Sequence, residues 1–274
     1  MGRLGFADVK GRGDFDYLVD FAERNGFGLV QVSFDNPRYF PEKFGPDKRA
    51  EIQRKFRALG IGLCFHGPSD VPLLNRHEKV RAAGLERVGE FIEMAIELGG
   101  EYFILHPGRL GFYSLSSRQI FFMEQRYPER ISSLFENSIS RLLDKCRGRI
   151  KLCIENTHTV STPFLEVVGR LAVERDLGLV WDVGHAEQLP EPRRQQVIKF
   201  FQDHLRYIRL AHLHDFREGA DHRRLGSGRL NIEGYLQVFR ALSLDVILEI
   251  FPEEDLLQSL EYVKSNENMA GAGA

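Results

Sequence analysis

The chain has 274 residues, 43% hydrophobic and 28% charged, with a formal net charge of −2. That length suits one large domain with a sizeable core, and the near-neutral balance removes the global basic character of a nucleic-acid binder while leaving room for a local patch. Asp8, Asp14 and Asp16 stand where a secretory signal would need an apolar stretch, and no run approaches the roughly eighteen apolar residues of a membrane span, so a cytoplasmic protein is expected.

In chain order, short apolar runs at 3–7, 29–34, 61–66, 101–106, 150–155, 177–182, 207–212 and 245–250 predict eight strands. Amphipathic stretches at 14–25, 47–59, 76–98, 130–147, 161–174, 193–204, 231–242 and 255–265 predict the helices that follow them. Ser161 or Thr162 before Pro163 marks one helix start, and Gly60, Gly99 and Gly178 follow helix ends. Eight strands alternating with eight helices predict a single-domain (β/α)8 TIM barrel over residues 1–266, with a flexible tail at 267–274. A doubly wound open sheet ranks second, because it would normally carry a Gly-rich phosphate-binding turn after an early strand. The 107–129 connection holds Phe112, Tyr113, Phe121, Phe122 and Tyr127, too apolar for a purely solvated loop; it reads as a lid, a substrate wall or a subunit contact. Cys64, Cys146 and Cys153 are odd in number at no metal-binding spacing and read as reduced core or near-core thiols.

The chemistry lies at the strand ends. The third predicted strand ends at His66, the fourth at His106, the fifth at Glu155, the sixth at Asp182 with His185 just beyond, the seventh at His212 and the eighth near Glu249. A parallel barrel delivers all its strand C-termini to one face, so these side chains should converge. Alternation supports this, since Ile104 with His106, Cys153 with Glu155, Val180 with Asp182 and Ile247 with Glu249 share a face. Any one strand-end histidine is better explained by surface exposure or ordinary hydrogen bonding. The converging set is better explained by a metal. His77 and His204 are read as solvated, and His158, in the loop after the fifth strand, is balanced between substrate contact and loop hydrogen bonding.

The ordered set HGP, LHPG, IENT, WDVGH, HLHD, HRRLGSG and ILEIFP resembles the xylose-isomerase-like TIM-barrel superfamily, which contains endonuclease IV and many sugar isomerases and epimerases. The resemblance spans nearly the whole chain. Endonuclease IV proteins hold three zinc ions with nine ligands, and eight matching positions here carry the expected type: His66, His106, Glu155, Asp182, His185, His212, His222 and Glu249. The ninth, an aspartate, falls on Ala220, beside Asp221; alternation of an extended segment would point Asp221 away from His222. The epimerase branch implies one divalent ion at Glu155, Asp182, His212 and Glu249, with His185 touching substrate.

The resemblance thus implies an isomerase or epimerase of a sugar or sugar phosphate, working by proton transfer through a metal-stabilised enediolate. Glu155 and Glu249 would carry the proton; His185, Arg217 and His158 would contact substrate; one or two Zn²⁺, Mn²⁺ or Mg²⁺ ions per chain would be held. An endonuclease IV-like zinc phosphodiesterase acting on abasic DNA is the alternative. The HGPSDVPLL segment offers that reading no aromatic wedge, whereas Arg38 and Tyr39 could serve it. A third reading is a non-catalytic metal-binding barrel acting as a binding module. A small-molecule sugar is the expected partner, nucleic acid is disfavoured, no membrane is expected, and a homo-oligomer is left open.

Overall fold

The computed structural model describes residues 1–8, 11–108, 113–115, 118–120, 122–157, 162–217 and 219–271. Eight parallel strands form a closed barrel: β1 (Leu4–Asp8), β2 (Leu29–Ser33), β3 (Gly62–His66), β4 (Tyr102–Leu105), β5 (Lys151–Glu155), β6 (Gly178–Asp182), β7 (Ile208–Leu213) and β8 (Asp245–Leu248). Neighbours follow chain order, and β1 closes the ring by pairing with both β2 and β8. The principal helices are α1 (Phe15–Asn25), α2 (Pro46–Ala58), α3 (Glu78–Glu97), α4 (Pro128–Cys146), α5 (Thr162–Arg175), α6 (Arg193–Asp203), α7 (Ile232–Ala241) and α8 (Glu253–Gly271). This is the TIM barrel that the alternating pattern predicts, with boundaries within a few residues except at the C-terminal end of α8.

Local chemistry sets several of these boundaries. The Asp14 carboxylate accepts from the Tyr17 amide to start α1, and Gly26, at φ 76°, ends it in the left-handed region that favours glycine. Between strands and helices, aromatic side chains fill the outer core: Trp181 stacks on Phe201 at 5.3 Å, and Phe34 stacks on Phe65 at 5.1 Å. Inside the barrel, every strand contributes one buried side chain to a single apolar cluster, namely Ala7, Leu29, Cys64, Ile104, Cys153, Val180, Leu210 and Ile247.

Because strand side chains repeat every second residue, the next inward positions toward the C-terminal mouth are Gln31, His66, His106, Glu155, Asp182, His212 and Glu249. An apolar floor therefore supports a polar ring. Cys64, Cys146 and Cys153 are all buried and unbridged, and burial pushes the Cys146 and Cys153 thiols up to about 12.

The 107–129 connection contains a hairpin (Tyr113–Leu115 with Arg118–Ile120) and a short helix, Phe122–Arg126. Phe112 and Phe121 lie outside the described residues; Phe122 and Tyr127 are exposed and meet edge to face at 5.8 Å. Among the described residues, no helix is long and apolar enough to cross a membrane.

Candidate metal centre

Glu155 ends β5 at the centre of the ring and is 1% exposed. Its Oε2 lies 3.4 Å from His66 Nε2 and 3.2 Å from His212 Nδ1, and its Oε1 lies 3.5 Å from His106 Nε2 and 3.4 Å from His185 Nδ1. None of these four contacts is aligned as a hydrogen bond to either oxygen. Burial alone would raise the Glu155 carboxyl, but the surrounding imidazoles, His212 and His106 foremost, hold it well below the usual carboxylate range.

His212, from β7, is fully buried, and its Nδ1 also lacks a hydrogen-bond partner. That nitrogen lies 3.4 Å from Glu249 Oε1 and 3.9 Å from Asp182 Oδ2, besides the Glu155 contact. Burial would lower the His212 pKa; Glu249 and Glu155 outweigh it and push the imidazole up to about 9.

Three orphaned buried atoms thus converge on one region, although an unsatisfied buried polar group costs about 1–3 kcal/mol. A tetrahedral ion bound at about 2.0–2.1 Å would space its N and O donors by about 3.3–3.4 Å. The Glu155 contacts, 3.2 to 3.5 Å, bracket that spacing. Donor atoms of Asp182, His212 and Glu249 lie within 4.8 Å of one another, as do those of His66, His106 and Glu155. These donor sets fit divalent-cation ligation, with Glu155 a member of one and in contact with His212 of the other.

His66 supports the second position. Its Nδ1 lies 2.9 Å from the Gly67 carbonyl, which can only accept, so Nδ1 carries a proton and Nε2 is the nitrogen turned to the ring. Nε2 faces His106 Nε2 at 3.2 Å, a meeting that needs a proton or a cation between the rings.

The end of β6 is built around Asp182. Its Oδ1 accepts from the His185 amide at 2.7 Å, which caps the short helix Val183–Glu187 and fixes His185 over the ring. The Asn156 side chain bonds both the amide and the carbonyl of Asp182, at 2.9 and 2.8 Å, locking the ends of β5 and β6 together. Burial would lower the His185 pKa, but Asp182 and Glu155 push it up to about 10.

His214 is fully buried two residues beyond His212, and its Nε2 lies 3.1 Å from Asp182 Oδ1. The His222 amide donates to His214 Nδ1 at 3.0 Å, the Asp215 carbonyl lies 3.3 Å from the same nitrogen, and Nε2 donates to Asp182, whose carboxylate can only accept. His185, His214 and His222 cluster closely enough for an ion, yet His214 has both nitrogens engaged and acts as a support of the Asp182 carboxylate.

Asp215, next in HLHD, accepts from the amides of Phe216, Gly228 and Leu230 and so folds the LGSG turn. A Cβ at residue 228 would sit 2.2 Å from Asp215 Oδ1, which requires the glycine.

At the third position Ala220 is exposed and offers only a methyl group. Asp221 does not point away as alternation predicts: its Oδ2 lies 3.8 Å from His185 Nε2. The physical reason is His222, whose φ of 52° breaks the extended geometry on which alternation depends. His222 Nδ1 donates to the Glu249 carbonyl at 3.0 Å, so its Nε2 is the nitrogen left for another ligand.

The ring therefore brings together His66, His106, Glu155, Asp182, His185, His212 and Glu249, with His222 at its edge. Arg217 is exposed on the hairpin Asp215–Arg217/Ala220–Arg223, and His158 lies outside the described residues. His77 is exposed, as expected, whereas His204 is half-buried against Phe200. Tyr39, weighed as a DNA contact, is fully buried with its hydroxyl 2.6 Å from Asp8 Oδ2. Sequence reasoning gave no role to Gln31, Asn156, His214 or Asp215. A glutamine inside the apolar run LVQVS and a second histidine two residues after His212 were the available signals.

A parallel eight-stranded barrel with a histidine–carboxylate ring at its C-terminal mouth defines the class of protein. The chain belongs to the xylose isomerase-like TIM barrel family, whose model matches residues 19–266. It is 25% identical over 224 residues to the uncharacterized protein MJ1311 of Methanocaldococcus jannaschii, covering 74% of this chain and 69% of that protein. A D-tagatose 3-epimerase-like protein superposes with a TM-score of 0.76 at 19% identity, over 99% of each chain. Endonuclease IV from Thermus thermophilus superposes with a TM-score of 0.71 at 22% identity, over 97% of this chain and 99% of its own. At these identities both likenesses establish the fold.

Proposed function

We propose that the chain is a divalent-metal-dependent isomerase or epimerase acting on a sugar or sugar phosphate. The observation that carries this reading is the complete, buried donor set of Glu155, Asp182, His212 and Glu249, set against a third position whose expected aspartate is Ala220. When bound there, Zn²⁺, Mn²⁺ or Mg²⁺ supplies Lewis-acid polarisation of a substrate carbonyl and its neighbouring hydroxyl, acidifying the adjacent C–H.

The remaining steps belong to the protein. Glu155 and Glu249 approach from β5 and β8, either side of Asp182 and His212, and serve as proton acceptor and donor. Glu155 is enclosed by four imidazoles, which suits it to holding charge; Glu249, paired through Oε1 with Gln31, is the freer proton carrier. His185 orients a substrate hydroxyl, and Arg217 and His158 bind more distal groups. The buried apolar layer beneath the ring excludes water from the proton path.

A second reading, metal-assisted phosphodiester cleavage, is favoured by the His66–His106–Glu155 cluster and by Asp221 facing His185. The test is incubation with candidate ketoses and aldoses, free and phosphorylated, in deuterium oxide. Metal-dependent exchange of a hydrogen next to the carbonyl is expected. Absence of exchange together with chelator-sensitive cleavage of abasic duplex DNA at catalytic enzyme levels would replace the isomerase by the nuclease.

A further inference from the structure

Gln31 is the one side chain of the inward ring, among the described residues, that does not titrate, and it touches two of the proposed ligands at once. It lies on β2, is 1% exposed, and stands directly above Leu29 of the apolar floor. Its Nε2 is 2.5 Å from Glu249 Oε1 and its Oε1 is 2.8 Å from His212 Nε2. Chemistry fixes this orientation: an ionised carboxylate only accepts, so the amide must turn its NH2 toward Glu249. The opposite orientation would set two acceptor oxygens 2.5 Å apart. The amide oxygen therefore faces His212, and the His212 nitrogen that meets it must carry hydrogen.

We infer that Gln31 is a positioning residue that holds the proton of His212 on Nε2, so that Nδ1 is the nitrogen presented to a metal. The inference rests on the proposed metal reading of Glu155, Asp182, His212 and Glu249. It is chain-specific in its mechanism: one amide both aims the imidazole and holds the Glu249 carboxylate toward the same point. His212 Nδ1, the atom so selected, is the orphaned one that faces Glu155, Glu249 and Asp182. A ligand histidine commonly donates its second ring N–H to such a partner, and loss of the partner weakens metal affinity by about 10–100-fold. No other polar side chain contacts His212 Nε2 among the described residues. The nearby Cys64 sulfur, 4.0 Å from the amide oxygen, is a weak donor that cannot substitute as an acceptor of comparable strength.

The experiment compares wild type with Gln31→Met and Gln31→Glu. Zinc affinity is measured by competition against a chromophoric chelator, and the protonated ring nitrogen of His212 is read by 15N-histidine NMR of metal-free and zinc-loaded protein. In zinc-loaded wild type, hydrogen on Nε2 and ligation through Nδ1 are expected. Gln31→Met, which keeps the shape but neither hydrogen bond, should bind zinc about 10–100-fold more weakly and lose the slowly exchanging Nε2–H signal. Gln31→Glu retains an acceptor for Nε2–H while losing the donor to Glu249, so the His212 pattern should survive. That retention separates a positioning role from general damage to the core, and it also serves if the methionine variant fails to fold. Ligation of wild-type His212 through Nε2, or unchanged affinity and an unchanged His212 pattern in Gln31→Met, overturns the inference. A wild type that holds no zinc removes the metal reading instead; the Gln31 bond is then judged on the Nε2–H signal of the metal-free proteins.

Discussion

The barrel has charge at both mouths. At the N-terminal mouth, Arg3 meets both oxygens of Glu101, at 2.6 and 2.7 Å, and reaches Asp245 at 2.6 Å, while the Tyr102 hydroxyl adds a contact to Asp245. Nearby, Lys151 and Arg209 share Asp176. Each charge there has an opposite partner in hydrogen-bond geometry. At the C-terminal mouth, three buried carboxylates face several imidazoles, and Glu155 and His212 still present atoms without a hydrogen bond. Buried polar groups are normally satisfied, so a network that closes on itself serves the fold, and one that stays open around a common point is built for something that binds.

The strongest way to break this contrast is to remove charge at the open end. Glu155→Gln and Glu249→Gln keep side-chain size and are each expected to abolish turnover while the fold survives. Proton transfer alone contributes about a hundredfold to ten-thousandfold, and impaired metal binding adds to the loss. Elemental analysis and circular dichroism would accompany the assay. A well-folded double variant with normal activity and normal metal content would sink the site assignment.

pH offers a graded version. In the metal-free fold His212 is raised to about 9 and its neighbour His185 to about 10, so a cation ligated by His212 must displace a proton at neutral pH. Affinity should climb with pH by up to about tenfold per unit for each proton displaced, levelling off near those values. Folding stability of the metal-free protein should move the opposite way. A raised histidine contributes fully below its unfolded value near 6.5, and that contribution disappears as pH rises through about 9 to 10. The depressed Glu155 and Asp182 act in reverse, contributing above about 4 and losing that contribution as pH falls. The metal-free thermal midpoint should therefore decline between about pH 6.5 and 10, with the zinc-induced increase in midpoint growing over the same window. A flat metal-free midpoint there would show that the imidazoles are not coupled to the carboxylates as described.

The closed end should respond in stability alone. Arg3→Met removes the charged partner of the largely buried Asp245, leaving it the Tyr102 hydroxyl and the backbone amide of residue 3, and should cost about 2 kcal/mol by denaturant unfolding. Metal content and turnover should be unchanged; a fall in zinc affinity would show that the two mouths are energetically linked.

How much of this was legible in the sequence follows from which rules are local. Period-two alternation is a property of the strand itself, so Ile104 with His106 or Val180 with Asp182 could be placed on one face from spacing alone, and barrel closure then supplied the convergence. The LVQVS run carried the same information about Gln31, but an amide is chemically plain until Glu249 and His212, both more than 180 residues away in sequence, are brought to it. Asp221 failed for the complementary reason. Alternation holds only in extended backbone, and the left-handed conformation of His222 comes from the hairpin, where the His222 amide is drawn to His214 and its ring to the Glu249 carbonyl.

The smallest expected effect tests the open end where it is least complete. His185, His214 and His222 form a third donor group, and the Asp221 carboxylate, 3.8 Å from His185 Nε2, stands beside it, partly exposed and accepting from Gln188 at 3.3 Å. A partly exposed carboxylate held by an amide must give up that bond to bind a cation, whereas both oxygens of Glu155 are already buried and without a hydrogen bond. The third position should consequently empty first, and protein dialysed against a mild chelator should retain one or two ions per chain. Ala220→Asp should tighten or add the third ion, by about tenfold or more in affinity, because it restores a carboxylate at the position the resemblance assigns. Asp221→Asn should weaken whatever third ion the unmodified chain takes up, while leaving the ions at Glu155 in place. Three tightly held ions in the unmodified chain, one of them lost in Asp221→Asn, would show that the one-residue shift fully replaces the missing aspartate, and would move the balance from proton transfer toward phosphodiester cleavage.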